Sequence, residues 1–342
     1  TADNLIFRVY GYFHPSDAYV CDPEYASATI YKSMNPRAPR GKRKPIYYKF
    51  YADEGLQFVQ EKYPRYTIFY EPLQERFVGV PRVYIAKTRK PDKRFRQLIE
   101  KQPRDNLLKA LHKVYSLVTS RSELSENDFG VFGSLLHGFY HPKFSDLDLI
   151  VYGREKLERL CEALEDLYGE EGPLRNEFES EKAVEGKLWK FVNYSPKEYL
   201  WHQQRKMIYA LFKDAEGARI IKTEFEPVKD WKEICNEYNR DARIIKRGWI
   251  KIVARITDDQ DAPFIPSIYN IEPIGILEGQ KVENIQRILS YVEEFRMQAK
   301  RDERVYVEGN LEEVITPTRT FHQITLTYCP RYYEQVMKVS QM

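Results

Sequence analysis

The chain has 342 residues, enough for one large core or two to three smaller ones. Charged residues make up 31% of it, mean hydropathy is −0.61, and no apolar run approaches the ~18 residues of a membrane-spanning helix, which excludes that class of protein from the sequence. The net charge of +3 hides an asymmetry: residues 1–104 carry 20 Lys+Arg against 11 Asp+Glu, which leaves −6 for the remainder, and a basic module joined to an acidic one points to a polyanionic partner.

The opening residues, TADNLIFRVYGYF, lack a basic n-region and an unbroken apolar core, so no signal peptide is expected and the expected location is cytoplasmic. The cysteines Cys21, Cys161, Cys235 and Cys329 stand far apart and form no CxxC, a pattern of reduced thiols rather than of a zinc knuckle or disulfide framework. Abundant Glu, Lys and Arg would suit surface ion-pair networks.

Taken in chain order, residues 1–104 read as a basic, β-rich N-terminal domain. Leu5–Tyr12, Ile46–Tyr51, Tyr66–Tyr70 and Pro81–Ala86 are aromatic or β-branched runs of strand type. The segment from Asn35 to Pro45 is dense in Pro and charge and reads as a loop. Its five cations, Arg37, Arg40, Lys42, Arg43 and Lys44, run into Tyr47-Tyr48-Lys49. Ions for phosphate beside rings for bases are what a single strand of RNA needs, and these five are candidate nucleic-acid contacts. A second basic stretch, Lys87–Arg104, reads as the connection to the next module.

Residues 105–239 read as the catalytic domain. Asp105 has the character of an N-cap, and Leu108, Leu111, Val114 and Val118 predict a helix over 106–119. A short apolar strand, Val131-Phe132, then runs into Gly133-Ser134. A second strand, Leu147 to Val151, carries Asp146 and Asp148 one residue apart, so both carboxylates point to one face. Two such carboxylates repel unless a cation sits between them, and a hard ion such as Mg²⁺ takes these ligands. Backbone N–H groups at a Gly-Ser strand-to-helix turn can hold phosphate. Leu157, Leu160, Cys161, Leu164 and Leu167 mark an amphipathic helix, and Ser195-Pro196-Lys197-Glu198 is a capping-box start to another whose apolar residues read as core. Residues 240–342 read as a β-rich C-terminal domain with strands at Trp249–Ile256, Val305–Val307 and His322–Thr327 and a helix over Val282–Arg296, an arrangement able to make a small barrel.

Gly133-Ser134, then Leu135-Leu136-His137, then Gly138, a loop containing Pro142, and Ser145-Asp146-Leu147-Asp148 together resemble the active-site signature of the DNA polymerase β-type nucleotidyltransferases. The chain departs from that signature in having His137 before the second glycine and a slightly long loop. The whole chain also looks similar to uncharacterised archaeal predicted nucleotidyltransferases. The resemblance implies an α+β fold, with a polymerase β-like nucleotidyltransferase core of mixed sheet and helices flanked by β-rich units. It implies two Mg²⁺ ions held by Asp146, Asp148 and a third acid from a later strand, and an NTP whose phosphates meet Gly133 and Ser134. His137 and Lys143 are further candidates for phosphate. The strand over residues 218–228 offers Glu224 and Glu226 on one face as the third acid. Glu224, three residues before Pro227, is closer to the archaeal CCA-adding pattern, and both stay open.

Three functions follow as expectations. The first is transfer of NMP to an RNA end, that of tRNA included; the second is transfer to a small-molecule or protein hydroxyl; the third is RNA binding without catalysis. The nucleotide, the acceptor and the oligomeric state are not legible.

Overall fold

The computed structural model describes residues 1–41, 44, 46–51, 53–184, 191–214, 219–327 and 331–340. The first part is a sheet of β1 (Leu5–Val9), β2 (Ala18–Ser27), β3 (Pro39–Arg40), β4 (Tyr47–Lys49), β5 (Thr67–Tyr70) and β6 (Glu75–Pro81), ordered β3-β4-β2-β6-β5 with β1 on β2. One helix, α1 (Glu54–Lys62), packs on it, and Leu5, Ala26, Val59 and Tyr66 fill a core of its own.

Three expectations for this part are corrected. The strand expected at Pro81–Ala86 lies upstream: β6 ends at Pro81, which pairs with Ala18, the first residue of β2, and residues 82–84 form an exposed 3-10 turn. The segment from Asn35 is not wholly loop: Pro39 and Arg40 pair with Tyr48 and Tyr47, and Ala38 is buried. The basic connection contains α2 (Pro91–Ile99), which buries Phe95 and Leu98 and stacks Phe95 5.6 Å from Phe129. Only two apolar side chains hold α2, so dense charge conceals it from a periodicity argument.

The central sheet is ordered β7-β8-β11-β10-β9, from β7 (Phe129–Val131), β8 (Leu147–Tyr152), β9 (Leu174–Asn176), β10 (Tyr209–Asp214) and β11 (Arg219–Val228). Only β8 and β11 run parallel. The helix after Asp105 is α3 (Asn106–Ser122); Asp105 accepts from the Leu108 amide at 3.1 Å, and Leu107, Leu108, Leu111, Val114 and Val118 are buried. The first turn after β7 is α4 (Gly133–His137). Next, α5 (Arg154–Gly169) packs against α3 with Leu157, Leu160, Leu164 and Leu167 inside, and α6 (Pro196–Gln204) opens with the expected capping box of Ser195 and Glu198.

The last part holds β12 (Arg243–Asp261), β13 (Ser267–Glu278), β14 (Ile285–Ser290), β15 (Arg304–Ile315), β16 (Thr320–Leu326) and β17 (Val336–Val339). The order β12-β13-β14-β16-β15 closes on itself because β15 also pairs with β12, and β17 adds to β15. This is a barrel without the expected helix. Residues 285–290 form a central strand between β13 and β16, and 293–295 a 3-10 turn. A central strand is packed on both faces, so Ile285, Ile288 and Leu289 recur at a spacing that also fits a helix; pairing on both edges decides. The barrel and the central sheet share one continuous apolar core, with Phe191 5.8 Å from Phe295. Among the described residues no helix is long and apolar enough to cross a membrane.

Candidate active site

The site lies on one face of β8 and β11. Parallel register sets Glu224 opposite Asp148 and Glu226 opposite Ile150. Alternation along each strand therefore brings Asp148, Glu224 and Glu226 to the same face. Asp146 precedes β8 and is exposed, while Asp148 is half-buried. The loop before them is clamped by Arg219 of β11, whose guanidinium donates to the Pro142 carbonyl at 3.2 Å and the Ser145 carbonyl at 2.5 Å.

The turn after β7 is built against these acids. The Phe132 amide donates to the Asp148 carbonyl at 3.0 Å. Gly133 has φ +55°, and a β-carbon there would stand 2.5 Å from Asp148 Oδ2, so only glycine lets α4 begin this close to the carboxylate. Gly133 and Ser134, as the first residues of α4, have amides without an intrahelical acceptor. The Ser134 hydroxyl donates to Ser145 Oγ at 3.3 Å, which ties the turn to the acidic loop. Gly138, at φ +75°, ends α4 in the left-handed conformation.

Desolvation raises the carboxyls of Asp146, Asp148 and Glu224. Desolvation pushes the Asp148 carboxyl up to about 6, with Lys49 opposing and Asp146 and Glu24 adding. Desolvation and the neighbouring Glu226 push Glu224 up to about 7, against Arg296 and Lys222. Arg296 is fully buried, with Nη1 2.7 Å from Glu226 Oε1 and Nη2 3.5 Å from Glu224 Oε1. Lys222, two residues before Glu224 on the same face, pairs with Glu177 at 3.2 Å.

The donor set of Asp146, Asp148 and Glu224 is all carboxylate oxygen, as a hard divalent ion requires, and the raised carboxyls of Asp148 and Glu224 carry a desolvation cost that a cation would offset. Among the described residues no three His, Cys, Asp or Glu side chains already converge tightly enough to hold an ion.

The other expected site residues are dispersed. His137 is buried, stacked on Phe139 at 5.2 Å, edge-on to Tyr25 at 5.4 Å, and 3.9 Å from Glu24. It joins α4 to β2 of the N-terminal sheet. Lys143 is exposed on the loop. Arg40 Nη1 donates to the Arg37, Ala38 and Pro39 carbonyls and is folded onto its own segment. Arg37 and Lys44 are exposed, whereas Lys42 and Arg43 lie outside the described residues. The N-terminal sheet is not remote from the site: Tyr47 lies 5.4 Å from Phe139, and Lys49 acts on Asp148. Arg296, Lys49, Lys222 and Glu24 escape sequence reasoning because each comes from a different element; strand alternation from Glu224 could have found only Lys222.

Residues 114–224 match the family model of the nucleotidyltransferase domain. The chain carries a nucleotidyltransferase domain. The matched stretch holds Gly133, Ser134, Asp146 and Asp148 and ends at Glu224. With its mixed sheet, six α-helices among the described residues and β-rich flanks, the α+β architecture agrees with that domain. The chain is also similar to the uncharacterized protein MJ1086 of Methanocaldococcus jannaschii, 24% identical over 324 residues that cover 92% of this chain and 89% of that protein. No solved structure matches the chain.

Proposed function

We propose that the protein transfers NMP from an NTP to an acceptor hydroxyl in a Mg²⁺-dependent reaction, and that the acceptor is RNA. The observation that carries the catalytic part is the opposition of Asp148 and Glu224 beside the Gly133-Ser134 turn in a nucleotidyltransferase domain. The basic N-terminal part, with Arg37 and Lys44 exposed, supports the RNA acceptor. In this reading residues 1–104 contribute nucleic-acid contact, 105–239 the chemistry, and 240–342 the support of the third acid.

Asp146, Asp148 and Glu224 would hold the metal. When bound, Mg²⁺ supplies charge neutralisation at the triphosphate and makes the acceptor hydroxyl more acidic. The amides of Gly133 and Ser134 bind the outer phosphates of the NTP. The acceptor oxygen forms a bond to the α-phosphorus, the bond from that phosphorus to the α–β bridging oxygen breaks, and pyrophosphate leaves with the electron pair. The hydroxyl proton passes to Glu224. Glu226 stays paired with Arg296 and acts as the positioning residue for its neighbour. This assignment prefers Glu224 because it is the cross-strand partner of Asp148.

Incubation with each labelled NTP and Mg²⁺, with and without total RNA, tests the reading. Label entering RNA is the expected result. Label entering a small molecule or protein removes the RNA acceptor, and RNA binding without transfer removes the enzyme.

A further inference from the structure

A cavity of about 950 Å³ opens between β1 of the N-terminal sheet and the acidic face of the central sheet. It is walled by Gly133, Leu136 and His137 of the first turn, by Ile150 and Tyr152 of β8 and by Glu226 and Val228 of β11. Asp146, Ser134 and Lys143 are not part of the wall. Neither Asp148 nor Glu224 lines the space; it adjoins them through Gly133 of the first turn and through Glu226, two residues beyond Glu224 on the same strand face.

Its chemistry is that of a ring and an anion. Trp231 stands at the wall 79% exposed, and Tyr10, Tyr12 and Tyr152 line the interior. The Lys90 ammonium lies 5.3 Å over the Trp231 ring. Lys87, Arg89 and Lys90 are exposed at one end, and Arg89 donates to the His137 carbonyl at 3.1 Å. The acids of the cavity are already engaged: Glu226 by Arg296, Glu293 by Arg8 at 3.0 Å, Asp230 by Lys156 at 3.1 Å, Asp92 by Arg96 at 3.3 Å and Glu24 by His137. What remains is positive. Two buried nitrogens of wall residues, Arg8 Nε and His137 Nδ1, have no hydrogen-bond partner among the described residues, and the His137 side chain is only 5% exposed. A buried polar nitrogen left unpaired is costly and marks where a ligand atom belongs.

We infer that this cavity is the acceptor site and that the acceptor is a nucleotide: a base stacked on Trp231, a phosphate held by Lys87, Arg89 and Lys90, and a sugar hydroxyl presented past Glu226 of the wall toward the acids behind it. The inference rests on the proposed transfer reaction and adds to it the class of acceptor and its place. The cavity volume falls in the range of about 300–1,000 Å³ typical of small-ligand sites. It admits a mononucleotide or the unpaired end of a strand and rejects a duplex.

The test is calorimetric, on the full chain, with the triphosphate site first saturated with a non-hydrolysable ATP analogue and Mg²⁺. The probes are the common nucleoside 5′-monophosphates and a short single-stranded oligoribonucleotide with a free 3′ hydroxyl. At least one probe is expected to bind saturably. Trp231→Ala should weaken it by roughly 10- to 100-fold, the scale of removing one base stack. Trp231→Phe should restore most of the affinity, and the affinity for the ATP analogue should change less than about twofold. Tighter binding of the oligonucleotide assigns the cavity to an RNA end; equal binding assigns it to a free nucleotide. Absence of binding by every probe, or binding indifferent both to Trp231→Ala and to joint replacement of Lys87, Arg89 and Lys90 by Ser, overturns the inference. If labelled NMP is still transferred in that case, the reaction stands and only the acceptor site falls. If the probes bind as expected but no NTP is turned over, the reaction falls and the nucleotide site remains.

Discussion

Glu224 lies opposite Asp148 across the parallel ladder of β8 and β11, with both carboxyls on one face and both raised above their ordinary range. Two desolvated acids facing each other cost stability at neutral pH. Carboxyls raised in this way beside a cavity mark a candidate functional site.

The pH dependence of the metal-free protein follows from this. An unfolded Asp titrates near 4, and Asp148 titrates at about 6. Between these values the folded state binds more protons than the unfolded state, so this group makes stability fall as pH rises through the window. The penalty is complete above about 6. Asp148→Asn removes it. The melting temperature of the variant without Mg²⁺ at pH 8 should exceed that of wild type by about 2 °C or more, and the gap should close near pH 4. A variant less stable than wild type at pH 8 would contradict the desolvation penalty at Asp148.

The same substitution should cost kcat about 10²–10³-fold or more, because a preorganised charge is removed from the reacting centre. Steady-state NMP transfer at saturating NTP and Mg²⁺ measures it. Wild-type turnover in an Asp146→Ala/Asp148→Ala protein would remove both from the site.

Replacing Glu224 and Glu226 separately by Gln separates chemistry from support. Glu224→Gln should abolish transfer and leave the fold intact. Glu226→Gln removes the nearer carboxylate from the buried Arg296 guanidinium and leaves it Glu224, so it should cost about 1–3 kcal/mol in urea unfolding, while each folded molecule keeps most of its activity. An inactive Glu226→Gln beside an active Glu224→Gln would exchange the two roles.

Gly133→Ala should be damaging despite adding a single methyl group. The new carbon meets Asp148 Oδ2, and φ +55° is strained for alanine. The expected result is a loss of turnover on the order of 10²-fold with little change in far-UV circular dichroism. Unchanged turnover would mean that Asp148 can shift freely, contrary to a rigid site.

The basic segment gives a salt-dependence test. Replacing Arg37, Lys42, Arg43 and Lys44 with Ser should lower RNA affinity and flatten its dependence on log salt, by up to about 0.7 for each phosphate that is no longer neutralised. Arg40→Ser should act differently, because that side chain is engaged with its own backbone and holds the segment's shape. The N-terminal sheet touches the turn after β7 through Tyr25 and Tyr47, so NTP affinity belongs in the same experiment. An unchanged slope would return the segment to ordinary solvated surface.

The sequence by itself determined the parts of the candidate site that lie close along the chain. Gly133-Ser134 and the pair Asp146 and Asp148 sit within one strand-turn-strand unit, where local backbone geometry fixes the relation. The helices α3, α5 and α6 were legible for the same reason, through caps and apolar spacing. Tertiary structure alone decided what comes from a distance. Sequence spacing left both Glu224 and Glu226 open, with Glu224 closer to the CCA-adding pattern, and it is strand register that sets Glu224 against Asp148 and the barrel's Arg296 against Glu226. Strand pairing on both edges turned the expected helix over Val282–Arg296 into β14, since periodicity does not encode the neighbours of a central strand. The cavity beneath β1 has no sequence signature, because its walls come from all three parts of the chain and only packing brings them together.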